Sequence, residues 1–323
     1  MDGQPESRGA SVTGIIVVNW NGAAETVGCL DSLHQLRRQA FRIYIVDNAS
    51  TDGSREDIQR AHPEDELLVA PANLGYAGAF NLGWQQALAD GMQYVWLLNN
   101  DTVVDPDALD KLVEADRRHG PAILSPKILF RDRPEILWYA GGYVDRALKS
   151  HHVGKNEADG EQYSNVREIP WASGCSLFCS RDVLAQVGAM YEGYFLYLED
   201  VDWCYAARKR GVPTYYIPDA RVYHGVSRTV SMLDERQITY YAWRNYYLLV
   251  RRQGTAKQRF VMYADLLSRF IKIGLRHIFF PSYRKNGLYR ARTQALFNFV
   301  LGRFGSMPPL EDNSPSMAGR ARS

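Results

Sequence analysis

Two short clusters hold residue types that can do chemistry together. In LLNNDTVVD (residues 97–105), Asn99, Asn100 and Asp101 follow the apolar run Tyr94–Leu98 without a break. In YLEDVDW (residues 197–203), Glu199, Asp200 and Asp202 fall close together. A carboxylate beside two amides at a sheet edge can hold a hard divalent cation and, through it, phosphate oxygens. Neighbouring carboxylates can take a proton from a hydroxyl that is about to attack. Each cluster also has an ordinary reading. Asn and Asp are common turn residues, and acids in the first turn of a helix complement its dipole, which suffices for Asp202.

The elements that must position these groups are legible as an alternation. Gly14–Val18 is a β-branched run, Ala23–Leu36 has helical periodicity, and Phe41–Val46 is a second strand. Ser54-Arg55-Glu56-Asp57 resembles a capping box that opens a helix. Leu67–Ala70, a helix from about Gly75 to Ala89, and the strand Tyr94–Leu98 continue the series. A βαβαβαβ order predicts an α/β fold with a mostly parallel sheet flanked by helices. Ligands then bind at the carboxyl ends of the strands, where the strand order reverses.

Four polar groups follow the four strands in register: Asn19-Trp20-Asn21, Asp47-Asn48-Ala49-Ser50, Asn73-Leu74-Gly75 and Asn99-Asn100-Asp101. No G-x-G-x-x-G follows the first strand and no G-x-x-x-x-G-K-S/T occurs anywhere, which argues against a dinucleotide oxidoreductase and a P-loop NTPase. A nucleotide held without a glycine loop needs its phosphates neutralised in another way. A divalent cation on Asp101 would supply that.

The blocks VVNWNG (17–22), VDNASTDGS (46–54), ANLGYAGAFNLG (72–83), LLNNDTVVD and YLEDVDWCYAARKRG (197–211) together resemble glycosyltransferase family 2. These are inverting transferases of GT-A fold, and the rhamnosyltransferase branch is the most similar. The resemblance covers roughly residues 12–230. It implies that Asp47 contacts the nucleobase, that Asn19, Asn73 and Asn81 lie at the donor, and that Asn99-Asn100-Asp101 takes the place of the family's D-x-D element. Two of those three positions are amides, which neutralise no metal charge. A second metal ligand is needed, and the resemblance implies His224, which follows Asp200 by 24 residues. Taken alone, His224 reads as a structural histidine. The resemblance further implies Asp200 as the base, Glu199 as a holder of acceptor hydroxyls, and Trp171 as an acceptor-side aromatic. A core tryptophan is an equal alternative for Trp171.

Composition bounds the rest. At 323 residues and 46% hydrophobic, the chain can bury a full core. The four cysteines, Cys29, Cys175, Cys179 and Cys204, show neither a C-x-x-C framework nor zinc spacing, so they read as buried reduced thiols. The N-terminus carries no basic-then-apolar signal and no run of about twenty apolar residues occurs, so a cytoplasmic location is expected. Residues 251–303 carry twelve Lys and Arg against one acid, whereas the first 250 residues carry 24 basic and 33 acidic residues. The expected organisation is a flexible segment 1–11, a catalytic domain 12–232 (donor half about 12–130, acceptor half about 131–232), a basic aromatic helical region 233–305, and a disordered tail 306–323. Basic helices of this kind suit the cytoplasmic face of an anionic membrane. A helical pair that forms a homo-oligomer, or a basic face packed on the acidic domain, are the alternatives. Nucleic acid is not expected.

The implied function is transfer of a sugar, L-rhamnose from dTDP-L-rhamnose, to a cell-surface glycan or lipid-linked saccharide, with Mg²⁺ or Mn²⁺ as cofactor. A UDP-hexose or UDP-galactofuranose donor is the alternative within the class, and a silent nucleotide-sugar binder the alternative outside it. A pyrophosphorylase would carry a basic glycine-rich loop where this chain has Asn19-Trp20-Asn21-Gly22.

Overall fold

The computed structural model describes residues 12–37, 40–225, 234–280, 282 and 286–308. The expected flexible segment 1–11 and residues 309–323 of the expected tail lie outside the described residues. The first half alternates as β1 (Val12–Asn19), α1 (Ala23–Leu33), β2 (Ala40–Asp47), α2 (Ser54–Ala61), β3 (Glu66–Val69), α3 (Gly75–Ala89) and β4 (Tyr94–Asn99). Ile15, Ile16 and Val17 are all fully buried. Consecutive buried residues mean that both faces of β1 are covered, as in a central parallel strand.

The order β3-β2-β1-β4 is parallel throughout. The chain leaves β1 to one side for β2 and β3, then returns to the other side for β4. The reversal therefore lies between β1 and β4, where Val18 pairs with Asn99 and, across β1, Asn19 pairs with Asp47. On α3, Gly83 lets the helix settle onto this sheet, because a Cβ there would collide with Ile16. One local expectation is corrected. The helix α2 is not opened by a capping box at Ser54: Gly53 precedes it in the left-handed region, Asp52 Oδ1 accepts the Ser54 N–H at 3.0 Å, and the Ser54 hydroxyl turns inward to accept from Asn19 at 3.0 Å.

Beyond β4 follow β5 (Thr102–Val104), α4 (Ala108–His119), β6 (Ile123–Phe130), β7 (Leu137–Tyr139), the hairpin β8 (Gly142–Val144) and β9 (Ser150–His152), and β10 (Arg167–Glu168). Then come β11 (Ser176–Ser180), α5 (Arg181–Val187), α6 (Glu199–Lys209) and β12 (Thr214–His224). β11 runs antiparallel between β4 and β6, and β12 runs parallel to β6, so the sheet becomes mixed beyond β4. Fully buried Trp96 locks the junction, donating from Nε1 to Ser176 Oγ at 2.9 Å. Truncating it to alanine would cost about 3–5 kcal/mol.

Three helices complete the described chain: α7 (Glu235–Gln253), α8 (Ala256–Phe279) and α9 (Gly287–Val300). Asp234 with Gln237, and Thr255 with Gln258, form capping boxes that start α7 and α8. The inner face of α7 is part of the main core, since Tyr247, Leu248, Leu249 and Val250 are buried with Leu296 and Phe299 of α9. Arg252 pairs with Asp202 of α6 at 3.0 Å. The basic region is thus tied to the catalytic domain. The strand β12 passes through an irregularity between Ile217 and Arg221 before it reaches His224. Residues 306–308 of the expected tail are described, with Met307 N–H donating to Tyr241 Oη at 2.8 Å. All four cysteines are buried and free.

Candidate active site

A cavity of about 540 Å³ opens over the β1/β4 reversal, within the usual size of small-molecule sites. Its walls include Trp20, Asn48, Asn73, Asn99, Asn100 and Asp101 on the β1–β4 side. Glu199, Asp200, Trp171 and His224 line it from the other half of the chain.

Asp101 meets His224 through strand pairing. The turn holding Asp101 feeds directly into β5, whose Thr102 pairs with His224 at the end of β12. The Gly225 N–H donates to the Asp101 carbonyl at 2.8 Å. The side chains follow, with His224 Nε2 3.1 Å from Asp101 Oδ1. Both residues are buried, and His224 Nδ1 has no hydrogen-bond partner. Two ligands about 2.1 Å from one small divalent cation lie roughly 3 Å apart when they occupy neighbouring coordination positions. The pair fits that requirement. If it held a cation it would supply two ligand atoms, leaving the remaining positions to phosphate oxygens or water.

The amides are held rather than free. Asn99 Oδ1 lies 3.0 Å from the Tyr76 hydroxyl, which also reaches the Gly174 carbonyl. Asn100 Nδ2 donates to Thr26 Oγ1 at 2.9 Å. Asn73 Oδ1 accepts from the Gly75 N–H at 2.9 Å and from Asn48 Nδ2 at 3.1 Å. Three residues named for the donor do not reach the cavity wall. Asn19 and Asp47 are fully buried, with Asn19 Nδ2 donating to Asp47 Oδ1 at 3.0 Å and the Ser50 N–H to Asp47 Oδ2 at 3.1 Å. Asn81 commits both ends of its amide to Met190 and Glu192, tying α3 to the chain before α6.

Glu199 and Asp200 open α6 after an unusual approach. Phe195, Tyr197 and Leu198 all have positive φ, a conformation that costs non-glycine residues about 1–3 kcal/mol each. Asp200 Oδ2 accepts from the Gly174 N–H at 2.8 Å and Oδ1 from the Val201 N–H at 2.7 Å. Burial pushes the Asp200 carboxyl up, and these donors oppose the shift. Burial, then the neighbouring Asp200 charge, pushes Glu199 well above the usual carboxylate range, and Glu199 Oε2 lacks a partner. Environments this different separate the two roles. Both carboxyls are pushed up, Glu199 the more strongly, which makes Asp200 the better placed of the two to act as a base.

Several cavity residues escaped the sequence reading. His152, its Nδ1 3.1 Å from the Trp138 carbonyl, is pushed down to about 4 by burial and is neutral at physiological pH. Trp138 packs edge-on against His224 at 4.5 Å, and Lys155 lies over Trp138. The cluster W138-Y139 with H151-H152 and K155 was the available signal, but the turns between these positions hid their convergence. Trp171 is only 3% exposed, its Nε1 on the Tyr143 carbonyl and its ring against Tyr139 and His152. It therefore buttresses the wall, largely buried.

A family model described as Glycosyl transferase family 2 matches residues 14–184, from β1 into α5. The chain belongs to glycosyltransferase family 2. Among curated family relatives, an N-acetylglucosaminyl-diphospho-decaprenol L-rhamnosyltransferase of Mycobacterium tuberculosis is 28% identical over 240 residues, covering 65% of this chain and 75% of the relative. The dTDP-rhamnosyl transferase RfbF of Shigella flexneri is 22% identical over 256 residues, covering 73% and 79%. The galactofuranosyltransferase GlfT1 of Mycolicibacterium smegmatis is 32% identical over a shorter 124 residues, covering 38% and 41%. In fold, the chain is similar to a mannosyltransferase from Pyrobaculum calidifontis in complex with GDP-Man and Mn²⁺, with TM-score 0.53, 15% identity and coverage of 91% and 88%. It is also similar to GalNAc-T7 with UDP, GalNAc and Mn²⁺, with TM-score 0.56, 15% identity and coverage of 74% and 51%. This family-2 chain therefore has the GT-A fold and is a glycosyltransferase.

Proposed function

We propose that the protein is an inverting, metal-assisted transferase that moves L-rhamnose from dTDP-L-rhamnose to a hydroxyl of a lipid-linked saccharide or cell-surface glycan. One observation carries the mechanism: the Asp101–His224 pair and the Asp200 carboxylate open onto the same cavity. The donor side supplies leaving-group stabilisation and the acceptor side supplies a base. Asn73, Asn99 and Asn100 position the donor. Asn19 and Asp47 hold the β1–β2 edge behind it through their buried hydrogen bonds. When bound, Mg²⁺ or Mn²⁺ on Asp101 and His224 compensates the charge of the departing diphosphate. Lys155 adds a second positive charge at that wall. Asp200 takes the proton of the attacking hydroxyl, Glu199 donates a hydrogen bond to the acceptor, and Tyr76 fixes Asn99 and the Gly174 segment relative to one another.

The rhamnose assignment is supported by two rhamnosyltransferase relatives that match most of their own length. The first of these bears a diphospho-lipid in its name, which supports a lipid-linked acceptor. The shape of α8 supports a membrane surface as a partner. No helix among the described residues is long and apolar enough to cross a membrane. Yet Phe260, Leu267, Ile271 and Ile278 on one stripe of α8 are 74%, 64%, 56% and 69% exposed, and the helix also carries Lys257 and Lys272 on its exposed side. That is the pattern of a helix lying in a lipid interface. The proposed location is peripheral, on the cytoplasmic face of the membrane, and the stripe supports the membrane contact. A homo-oligomer through the same stripe is the competing reading.

The test is incubation of purified protein with dTDP-rhamnose, UDP-hexoses and UDP-galactofuranose, with Mn²⁺ or Mg²⁺ and a prenyl-diphosphate sugar acceptor. Released nucleoside diphosphate and the anomeric proton signal of the product are followed. Transfer from dTDP-rhamnose with inversion supports the reading. Preferred transfer from a UDP-sugar overturns the donor, retention overturns the mechanism, and no transfer from any donor overturns the enzyme.

A further inference from the structure

We propose that Arg244 and Asn245 of α7 are positioning residues for the acceptor base, holding residues 193–197 on the left-handed path that aims Glu199 and Asp200 into the cavity. The inference rests on the transferase reading above, because it assigns the C-terminal helices a part in that reaction.

Five successive carbonyls before α6 are each captured from outside the segment. The Gly193 carbonyl accepts from Arg244 Nη2 at 3.1 Å, and the Tyr194 carbonyl from Arg244 Nη2 at 2.6 Å and Asn245 Nδ2 at 3.0 Å. The Phe195 carbonyl accepts from the Tyr76 N–H at 2.6 Å. Asn245 Nδ2 then reaches the Leu196 carbonyl at 2.6 Å and the Tyr197 carbonyl at 2.9 Å. Arg244 Nε donates to Asn245 Oδ1 at 2.9 Å, which fixes the orientation of the amide. Arg244 Nη1 donates to the Gly305 carbonyl at 2.6 Å, bringing in the chain after α9.

Both side chains are fully buried. A buried guanidinium and amide are tolerated only when their donors are used, and here they are used on one strained loop. Positive φ at Phe195, Tyr197 and Leu198 turns the carbonyls away from ordinary helix or strand partners. Without the clamp, these residues would relax toward common backbone conformations and rotate the first turn of α6. The bond from the Gly174 N–H to Asp200 would then be lost. The Phe195 link also carries the loop to Tyr76, beside Asn99, so one loop sets the base and braces the donor wall. At Gly75 a Cβ would collide with the Phe195 carbonyl, so this approach requires glycine.

The decisive variant is Asn245→Asp, which keeps volume and the acceptor for Arg244 but faces three carbonyls with a carboxylate. Arg244→Lys is the second, keeping charge but not the fork. Leu248→Ala is the control: it weakens the packing of the same helix and touches none of the five carbonyls. Using the full-length protein with dTDP-rhamnose and the prenyl-diphosphate sugar, kcat in both clamp variants should fall by about 100-fold or more, the cost of a small misplacement of a reacting group. The donor KM and the dTDP affinity should stay near wild type, and the acid limb of the kcat–pH profile should move. Hydrogen exchange at the amides of residues 196–201 should quicken in the clamp variants and not in the control. The proposal is overturned if Leu248→Ala at equal thermal stability loses as much kcat, or if both clamp variants leave kcat and exchange at 196–201 unchanged. If wild type transfers no sugar, the functional reading fails, and the exchange measurement still decides the clamp.

Discussion

His224 Nε2 and Asp101 Oδ1 lie 3.1 Å apart at the meeting of β5 and β12, although they come from opposite halves of the chain. The pairing of Thr102 with His224 makes the two side chains neighbours through the backbone of the sheet. A preformed pair needs no rearrangement to receive a cation with its diphosphate. Asp101→Ala and His224→Ala should each lower turnover by about 100-fold or more, the scale expected when leaving-group charge loses its compensation. Steady-state rates across a Mn²⁺ titration check this. His224→Ala should be partly recovered by high Mn²⁺, because Asp101 remains.

The two carboxylates at the start of α6 should separate cleanly. Asp200→Asn keeps shape but accepts no proton, and it should cost about 10²–10⁴ in kcat. Glu199→Gln keeps a hydrogen-bond donor, so it should retain most of kcat and raise the acceptor KM. Since burial raises the Asp200 pKa, the acid limb of kcat/KM should lie above the ordinary carboxylate range. Initial rates of both variants from pH 4 to 9 provide the comparison. Equal losses in the two variants would contradict the assignment.

Asp116 on α4 offers a stability test away from the chemistry. Burial, opposed by the Tyr94 hydrogen bond, raises its carboxyl to about 6. The native state therefore holds a proton that the unfolded chain releases from about pH 4 upward. Stability from this group is full below pH 4 and is lost as pH rises toward 6. Asp116→Asn should be stabilised relative to wild type by about 1–2 kcal/mol above pH 6 and by much less at pH 4. Denaturant melts at both pH values read the difference.

Much of this was open to inspection in the chain itself. Ile15-Ile16-Val17 and Tyr94–Leu98 are apolar without alternation, so their placement inside a parallel sheet followed from period alone. Asp101 and Glu199-Asp200 stand out because one follows the end of a strand and the others begin a helix. Direction was harder: Ser176–Ser180 is buried on both faces and reads the same either way, which hid the antiparallel insertion of β11. Asn19, Asp47 and Asn81 look identical to ligand-facing residues, and only tertiary contacts show that their polar atoms are used inside the protein. Arg244 and Asn245 fell on the buried face of an aromatic helix, at the spacing of Tyr240, Tyr241, Tyr247 and Leu248. Their partners are carbonyls, which carry no side-chain signature.

The exposed stripe of α8 should behave as a lipid contact. Each base near an anionic surface contributes about 1 kcal/mol, so binding should weaken as salt rises. Full-length protein should sediment with phosphatidylglycerol vesicles at low salt, and Leu267→Glu with Ile271→Glu should abolish this. Salt-independent self-association lost in the same double variant would instead make the stripe an interface between copies.

The central claim is that a metal-dependent diphosphate site at Asp101 and His224 faces a separate base at Asp200. Calorimetric titration of dTDP into wild type, Asp101→Ala and Asp200→Asn, each with Mn²⁺ and with chelator, tests it most directly. The account predicts binding in wild type that requires Mn²⁺, binding retained in Asp200→Asn, and binding reduced by at least about tenfold, or 1.4 kcal/mol, in Asp101→Ala. Equal affinity for dTDP with and without Mn²⁺, or an Asp101→Ala variant that binds like wild type, would contradict it.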